Sequence, residues 1–97
     1  MTNRPKILVV EDSEDVLRAI SLVLKDAGFE PVEARDGRVA LKVLFEARPD
    51  CVVLDVNLPE LDGWKVLARI RDMSDVPVLM LTARHDEADK VRGLERG

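Results

Sequence analysis

The 97-residue chain is predicted to form one α/β domain, built on an open parallel β-sheet wrapped by helices. Short runs rich in β-branched residues alternate four times with longer stretches whose apolar residues recur at helical spacing. One of these runs, Cys51 to Leu54, is apolar without alternation, as expected of a central parallel strand that is covered on both faces. The pattern therefore predicts four βα units.

The first unit begins with a strand predicted over Lys6 to Val10. Ser13 is predicted to cap the helix that follows, and Gly28 is predicted to end it. The apolar residues of this helix recur on one face, which predicts that the face is buried. They are Val16, Leu17, Ile20, Val23, Leu24 and Ala27.

The second unit begins with a strand predicted over Phe29 to Ala34. Pro31 lacks a backbone N–H, and this favours an edge strand, where no partner needs that donor. Asp36 and Gly37 open the second helix, and Pro49 ends it. The inward residues of this helix are predicted to be Ala40, Val43, Leu44 and Ala47.

The second half of the chain repeats the alternation. Asp55 lies at the exit of the strand Cys51 to Leu54, and a helix is predicted over Gly63 to Met73. A fourth strand is predicted over Val76 to Leu81, and a weaker helix over Asp86 to Arg96. One domain over residues 1–97 is expected.

The charge and apolar runs of the chain limit its partners. A net charge of −4 and a pI of about 5.0 argue against a nucleic-acid surface, because affinity for a phosphate backbone comes from clustered Lys and Arg. The apolar stretches are of strand length, far short of the roughly 20 residues that cross a bilayer. We therefore expect a cytoplasmic protein that contacts neither nucleic acid nor a membrane directly.

Polar residues follow three of the predicted strands. Glu11 and Asp12 follow the first, Asp55 the third and Thr82 the fourth. The carboxyl ends of parallel strands share one edge of a sheet, so these groups are expected to meet. Clustered carboxylates repel one another unless a cation neutralises them, and oxygen ligands of this kind suit Mg²⁺.

A metal of this kind beside a phosphoryl group offsets the charge that accumulates during transfer. Asp55 is the natural nucleophile, and the chemistry suggested is formation of an aspartyl phosphate. The hydroxyl of Thr82 and the backbone N–H of Ala83 are positioned in sequence to donate to phosphoryl oxygens.

Three segments together resemble the receiver domain of two-component response regulators: Ile7 to Asp12, Asp55 to Gly63, and Leu81 to Ala83. The resemblance runs from Lys6 to Gly97 in order and spacing. It implies a flavodoxin-like doubly wound sheet, a Mg²⁺ site, and a phosphoryl group received from the phosphohistidine of a sensor histidine kinase. Such a domain is expected to be a phosphoacceptor signalling module rather than an enzyme. At most it catalyses its own phosphorylation and dephosphorylation.

The resemblance also implies the roles of individual residues. Asp55 becomes the phosphoacceptor, and Glu11 and Asp12 become the acidic metal pair. Asp55 and the backbone carbonyl of Asn57 complete the metal ligands.

The resemblance further implies which residues contact the phosphoryl group and which belong to the neighbouring loop. Thr82 and Ala83 match the phosphoryl-binding and switch position, whereas Pro59 and Gly63 match the loop that leads into the third helix.

One departure from the family pattern is large. Such receivers have a fifth strand that ends in a lysine, then an aromatic switch residue and a fifth helix. This sequence contains no counterpart, so the expected strand order is 2-1-3-4 with the fifth strand and fifth helix absent. We interpret the chain as a receiver that is incomplete at its C-terminus.

Two other functions remain as alternatives. The chain is an interaction or self-associating module without productive phosphorylation if the missing lysine is essential. A metal-dependent phosphohydrolase is disfavoured, because such enzymes typically have a second acid two residues after the nucleophile, where this chain has Asn57. A nucleotide or flavin site is also disfavoured, since no glycine-rich loop follows the first strand.

The predicted sheet would leave Val76 to Leu81 as an apolar edge strand. An unpaired edge of this kind is a template for pairing with another chain. We therefore expect a homodimer or an oligomer with exchanged elements, formed through the fourth strand.

Overall fold

A computed structural model of the chain describes residues 4–56 and 63–81. Its elements, in chain order, are β1 (Lys6–Val10), α1 (Glu14–Asp26), β2 (Glu30–Ala34), α2 (Gly37–Ala47), β3 (Cys51–Asp55), α3 (Gly63–Met73) and β4 (Val78–Leu81). The strands form one parallel sheet in the order β2-β1-β3-β4, which confirms the predicted order. The helix predicted over Asp86 to Arg96 lies outside the described residues.

The sheet has a core on each face because successive strand side chains point to opposite sides. Leu8 and Val10 of β1 face α2 and α3, in a cluster that includes Leu44, Val66 and Ile70. Ile7 and Val9 face the other way, with Leu17 of α1 and Val53 of β3. Burial on both faces explains why β1 and β3 read as continuous apolar runs.

Both predicted ends of α1 are confirmed. Ser13 is the N-cap, and its Oγ accepts a hydrogen bond from the N–H of Val16 at 3.4 Å. At the other end Gly28 adopts a φ of 95°, the left-handed conformation that glycine allows without strain. The N–H of Phe29 then donates to the carbonyl of Leu24 at 2.9 Å, which closes the helix.

The predicted inner face of α1 is partly wrong. Three of its members are exposed, namely Val16, Val23 and Ala27. α1 packs against β1 and β2, and the buried line of the helix runs through Leu17 and Ser21, which are four residues apart. Burial of Ser21 is favourable because its hydroxyl donates to Glu33 at 2.6 Å, so the helix face is set by a polar contact that apolar periodicity does not show.

Two strands begin later than predicted, each for a local reason. β2 begins at Glu30 because the N–H of Phe29 is used to close α1. β4 begins at Val78, since Pro77 has no N–H to donate, although its carbonyl accepts from Val52 at 2.9 Å. Pro31 lies in β2, and β2 is an edge strand of the described sheet, as predicted.

β1 is the strand at which the direction of the sheet changes, because β2 pairs on one side of it and β3 on the other. Open α/β sheets bind ligands outside the carboxyl ends of strands at such a point. Glu11 follows β1 directly and Asp55 is the last residue of β3, so both lie at this position. Among the described helices, none combines the length and hydropathy needed to span a bilayer.

Candidate functional site

Three carboxylates meet at the carboxyl edge of the sheet. Glu11 and Asp12 follow β1, and Asp55 ends the neighbouring β3, so the register of two parallel strands brings them together. One carboxylate oxygen from each residue lies within 4.8 Å of the other two. The predicted convergence of these acids is confirmed.

The three acids differ in their access to water. Glu11 and Asp55 are buried, with 5% and 3% of their surface exposed, whereas Asp12 is exposed. Buried carboxylates are rare in proteins unless they are paired or bind a metal. The site therefore has a buried inner side, formed by Glu11 and Asp55, and a solvent-exposed rim at Asp12.

The environment of Glu11 disfavours its charged form. Burial raises the pKa of Glu11 from 4.5 to about 7, and the negative charge of Asp55 and hydrogen bonds with the carboxyls of Asp12 and Asp55 act in the same direction. The backbone N–H of Ser13, which donates to Glu11 Oε2 at 2.9 Å, opposes this rise in pKa. Without a cation, the protonated form of Glu11 is therefore favoured over a wider pH range than for an ordinary glutamate.

The donor set fits a hard divalent cation. Carboxylate oxygens are the ligands that Mg²⁺ prefers, and Mg²⁺ typically keeps several waters and takes only one or two carboxylates from the protein. The exposed Asp12 leaves one side open for water or a phosphate, and Glu11 and Asp55 supply buried anionic oxygens. A cation here would favour the charged form of Glu11 and so oppose the rise in its pKa that burial and the neighbouring acids cause.

Val56 ties the Asp55 strand end to two neighbouring elements. Its N–H donates to the carbonyl of Leu81, the last residue of β4, at 2.9 Å. Its carbonyl accepts a hydrogen bond from the N–H of Gly63, the first residue of α3, at 2.8 Å. The peptide that follows Asp55 is thus fixed on both sides.

Two site residues, Pro59 and Gly63, are predicted for the loop before α3. Of these two, Gly63 lies within the described part of the chain, where it is buried at the start of α3. The other predicted site residues, namely Asn57, Pro59, Thr82 and Ala83, lie outside the described residues.

Sequence reasoning missed one residue beside the site. Arg35, directly after β2, donates from its guanidinium to the backbone carbonyl of Asp12 at 3.3 Å. Its position after a strand placed it at the same edge as the acids, and this signal was available in the sequence. The contact is made with the backbone of Asp12 rather than with its carboxylate.

A comparison with protein-family models decides the family. The model for the response regulator receiver domain matches residues 7–97. The chain belongs to the response regulator receiver family. The receiver assignment agrees with the strand order and with the position of the acidic cluster.

Curated relatives of this receiver are longer regulators. Over 94 residues it is 48% identical to the transcriptional regulatory protein PrrA of Mycobacterium tuberculosis, covering 96% of this chain and 40% of that protein. It is 44% identical over 93 residues to the transcriptional regulatory protein AfsQ1 of Streptomyces coelicolor, covering 96% and 41%. The chain thus spans about two fifths of the length of these relatives.

Solved receivers have the same fold. The chemotaxis protein CheY4 of Vibrio cholerae superposes with a TM-score of 0.84 at 36% identity, covering 98% of this chain and 82% of that one. A response regulator from Chloroflexus aurantiacus gives a TM-score of 0.85 at 35% identity, covering 98% and 80%. The receiver is therefore an α/β signalling domain of two-component systems.

Proposed function

We propose that this receiver accepts a phosphoryl group on Asp55 from the phosphohistidine of a sensor histidine kinase, in a reaction that requires Mg²⁺. The observation that carries the proposal is the convergence of three carboxylates from two adjacent strands, two of them buried. Folding does not require acids at these strand ends, and burying them is unfavourable without a cation.

In the proposed reaction an Asp55 carboxylate oxygen attacks phosphorus, and the bond between phosphorus and the histidine nitrogen breaks. The electron pair of that bond stays on the imidazole, and an acyl phosphate forms on Asp55. Mg²⁺, when bound, offsets negative charge on the phosphoryl oxygens. Glu11 and Asp12 hold the ion together with Asp55.

The remaining roles fall to residues that the resemblance assigns. The backbone carbonyl of Asn57 is proposed as a further metal ligand. The hydroxyl of Thr82 and the N–H of Ala83 are proposed to donate to phosphoryl oxygens, as charge-assisted hydrogen bonds. Pro59 and Gly63 shape the loop between Asp55 and α3.

We further propose that phosphorylation of this receiver regulates transcription within a longer protein. The names of the curated relatives, which are transcriptional regulators, support this. The net charge of −4 favours DNA contacts made outside these 97 residues.

The test is phosphorylation of the wild-type chain. We expect incubation with MgCl₂ and phosphoramidate, whose P–N bond resembles that of phosphohistidine, to add one phosphoryl group, detected by intact-protein mass spectrometry. Chelation of Mg²⁺ with EDTA should prevent the addition. A chain that binds Mg²⁺ but never gains the adduct would instead support the second candidate function, an interaction module without productive phosphorylation.

That second candidate has an observation of its own, at β4. Among the described strands β4 pairs with β3 alone, and Leu79 and Leu81 are 46% and 37% exposed on it. Exposed apolar residues on an edge strand favour pairing with another chain. We propose that a second copy of this chain pairs with β4.

The corresponding prediction concerns the mass of the chain in solution. Light scattering at micromolar concentration is expected to give a mass above 10.9 kDa that rises with concentration. Leu79→Lys should shift the chain toward monomer because a charge on the edge opposes pairing. The matched change Leu22→Lys, at a residue of α1 that is 62% exposed, should leave the mass unchanged. A compact monomer throughout would contradict the prediction.

A further inference from the structure

Gly63 packs directly on the backbone that carries Asp55. A β-carbon at this position would contact the Cα of Val56 and would lie 2.6 Å from the carbonyl oxygen of Asp55. Ordinary van der Waals contact begins at 3.4 Å, and the Cα of Val56 is the nearest atom, so any side chain at position 63 requires the backbone to move by roughly 1 Å. Only glycine permits this approach of α3 to β3.

We propose that Gly63 is a positioning residue for phosphoryl transfer: the missing side chain lets α3 rest on the peptide joining Asp55 to Val56 and so sets the position of the Asp55 carboxylate. The inference rests on the proposed function, since it assigns Gly63 a part in the reaction at Asp55.

The elements packed around Gly63 determine which part of the backbone an added side chain would displace, and this part is the strand end that carries Asp55. α3 is anchored by Val66 and Ile70, both fully buried, so the helix cannot withdraw without opening the core. On its other side, Val56 is held by the carbonyl of Leu81. The end of β3 therefore lies between two fixed elements, and an added side chain at position 63 would shift this strand end.

A shift of this size matters at the acidic cluster. The Asp55 carboxylate shares a site in which the ligand atoms lie within 4.8 Å of one another. Mg²⁺ demands near-octahedral geometry, and a misplacement of about 1 Å can slow a reaction by about 100-fold. Both the affinity for the ion and the rate of transfer therefore depend on where the strand end lies.

The experiment compares Gly63→Ala with the wild-type chain. The dissociation constant for MgCl₂ is measured by calorimetry, and the rate of adduct formation from phosphoramidate is measured by mass spectrometry over a range of donor concentrations. We expect Gly63→Ala to weaken Mg²⁺ binding by roughly 10-fold and to lower the limiting rate constant by roughly 10- to 100-fold. The donor concentration for half-maximal rate should change by less than about twofold, since Gly63 has no side chain with which to bind the donor.

Gly28→Ala is the matched control. Gly28 has a φ of 95° and open space around its Cβ position, so alanine there strains the backbone at the end of α1 without a collision near Asp55. It should lower stability but leave the Mg²⁺ dissociation constant and the limiting rate constant of the folded molecules unchanged. Both variants are measured in trimethylamine N-oxide, which favours the folded state.

The outcomes separate the two proposals. If folded Gly63→Ala binds Mg²⁺ and reacts as Gly28→Ala does, the positioning role is overturned and the proposed function stands. If Gly63→Ala remains unfolded in the osmolyte, the role of Gly63 is structural and the positioning role is likewise overturned. A wild-type chain that neither binds Mg²⁺ nor gains the adduct overturns the proposed function and this inference with it.

Discussion

Asp55→Asn is expected to abolish the phosphoryl adduct while making the metal-free protein more stable. The amide cannot form the acyl phosphate, because its nitrogen and oxygen lack the nucleophilic anionic character of a carboxylate. No adduct should therefore appear in the mass spectrum at any concentration of MgCl₂ or phosphoramidate. The loss is complete rather than graded, and this gives it the largest expected effect.

The gain in stability has an electrostatic cause. Asp55 is one of the groups that raise the pKa of Glu11, and both side chains are buried. An asparagine of nearly equal size removes one buried charge, so we expect the free energy of unfolding to rise by about 1 kcal/mol at neutral pH without Mg²⁺. Urea denaturation is the suitable measurement because urea, unlike guanidinium, does not screen charges.

Asp50→Asn serves as the matched control. Asp50 precedes the same strand at the opposite edge of the sheet, and its carboxylate accepts a hydrogen bond from the N–H of Lys6 at 2.8 Å. An asparagine oxygen can still accept this hydrogen bond, so the variant should gain the adduct at the wild-type rate. An adduct on Asp55→Asn at the wild-type level would place the phosphoacceptor elsewhere and contradict the proposed function.

The second large effect is a loss of stability as pH rises in the absence of Mg²⁺. Burial and the neighbouring acids raise the pKa of Glu11 to about 7 in the folded state, against 4.5 for an ordinary glutamate. Between these values the folded chain holds a proton that the unfolded chain has released. Stability from this group is therefore fully present below pH 4.5 and is lost as pH rises through 7.

The expected size follows from the shift in pKa. Each pH unit between the two pKa values is worth about 1.4 kcal/mol, so the free energy of unfolding should fall by on the order of 2 kcal/mol between pH 5 and pH 8. Saturating Mg²⁺ should prevent the decrease in the free energy of unfolding at the high-pH end of this range, because the bound ion takes the place of the proton on Glu11. The affinity for Mg²⁺ should itself decrease as pH falls below 7.

Two substitutions identify the group responsible for the pH dependence. Glu11→Gln should flatten the fall in stability, since the amide does not titrate. Glu14→Gln, which changes an exposed glutamate paired with Arg18 on α1, should keep the wild-type slope. Equal slopes for both variants in urea titrations between pH 5 and pH 8 would show that Glu11 is not the group.

Much of the site was predictable because parallel strands share an edge. Glu11 and Asp12 follow β1 and Asp55 ends β3, so the alternation of strands and helices brings the three acids together once β1 and β3 are neighbours. Arg35 obeys the same rule, although a single basic residue after a strand does not by itself indicate a role at the site. The packing of Gly63 on Asp55 was not predictable, since a glycine after an acid reads equally well as a simple turn.

The sequence by itself determined the α/β class, the ends of α1 and α3, the edge position of β2 and the identity of the acidic cluster. Each of these depends on local chemistry: a cap, a proline, an apolar run or an acid after a strand. The tertiary structure alone decided that Ser21 rather than Val23 is buried, that Glu11 has a pKa near 7, and that α3 rests on the Asp55 peptide. These depend on which groups meet across elements, and periodicity within one element carries no information about such distances.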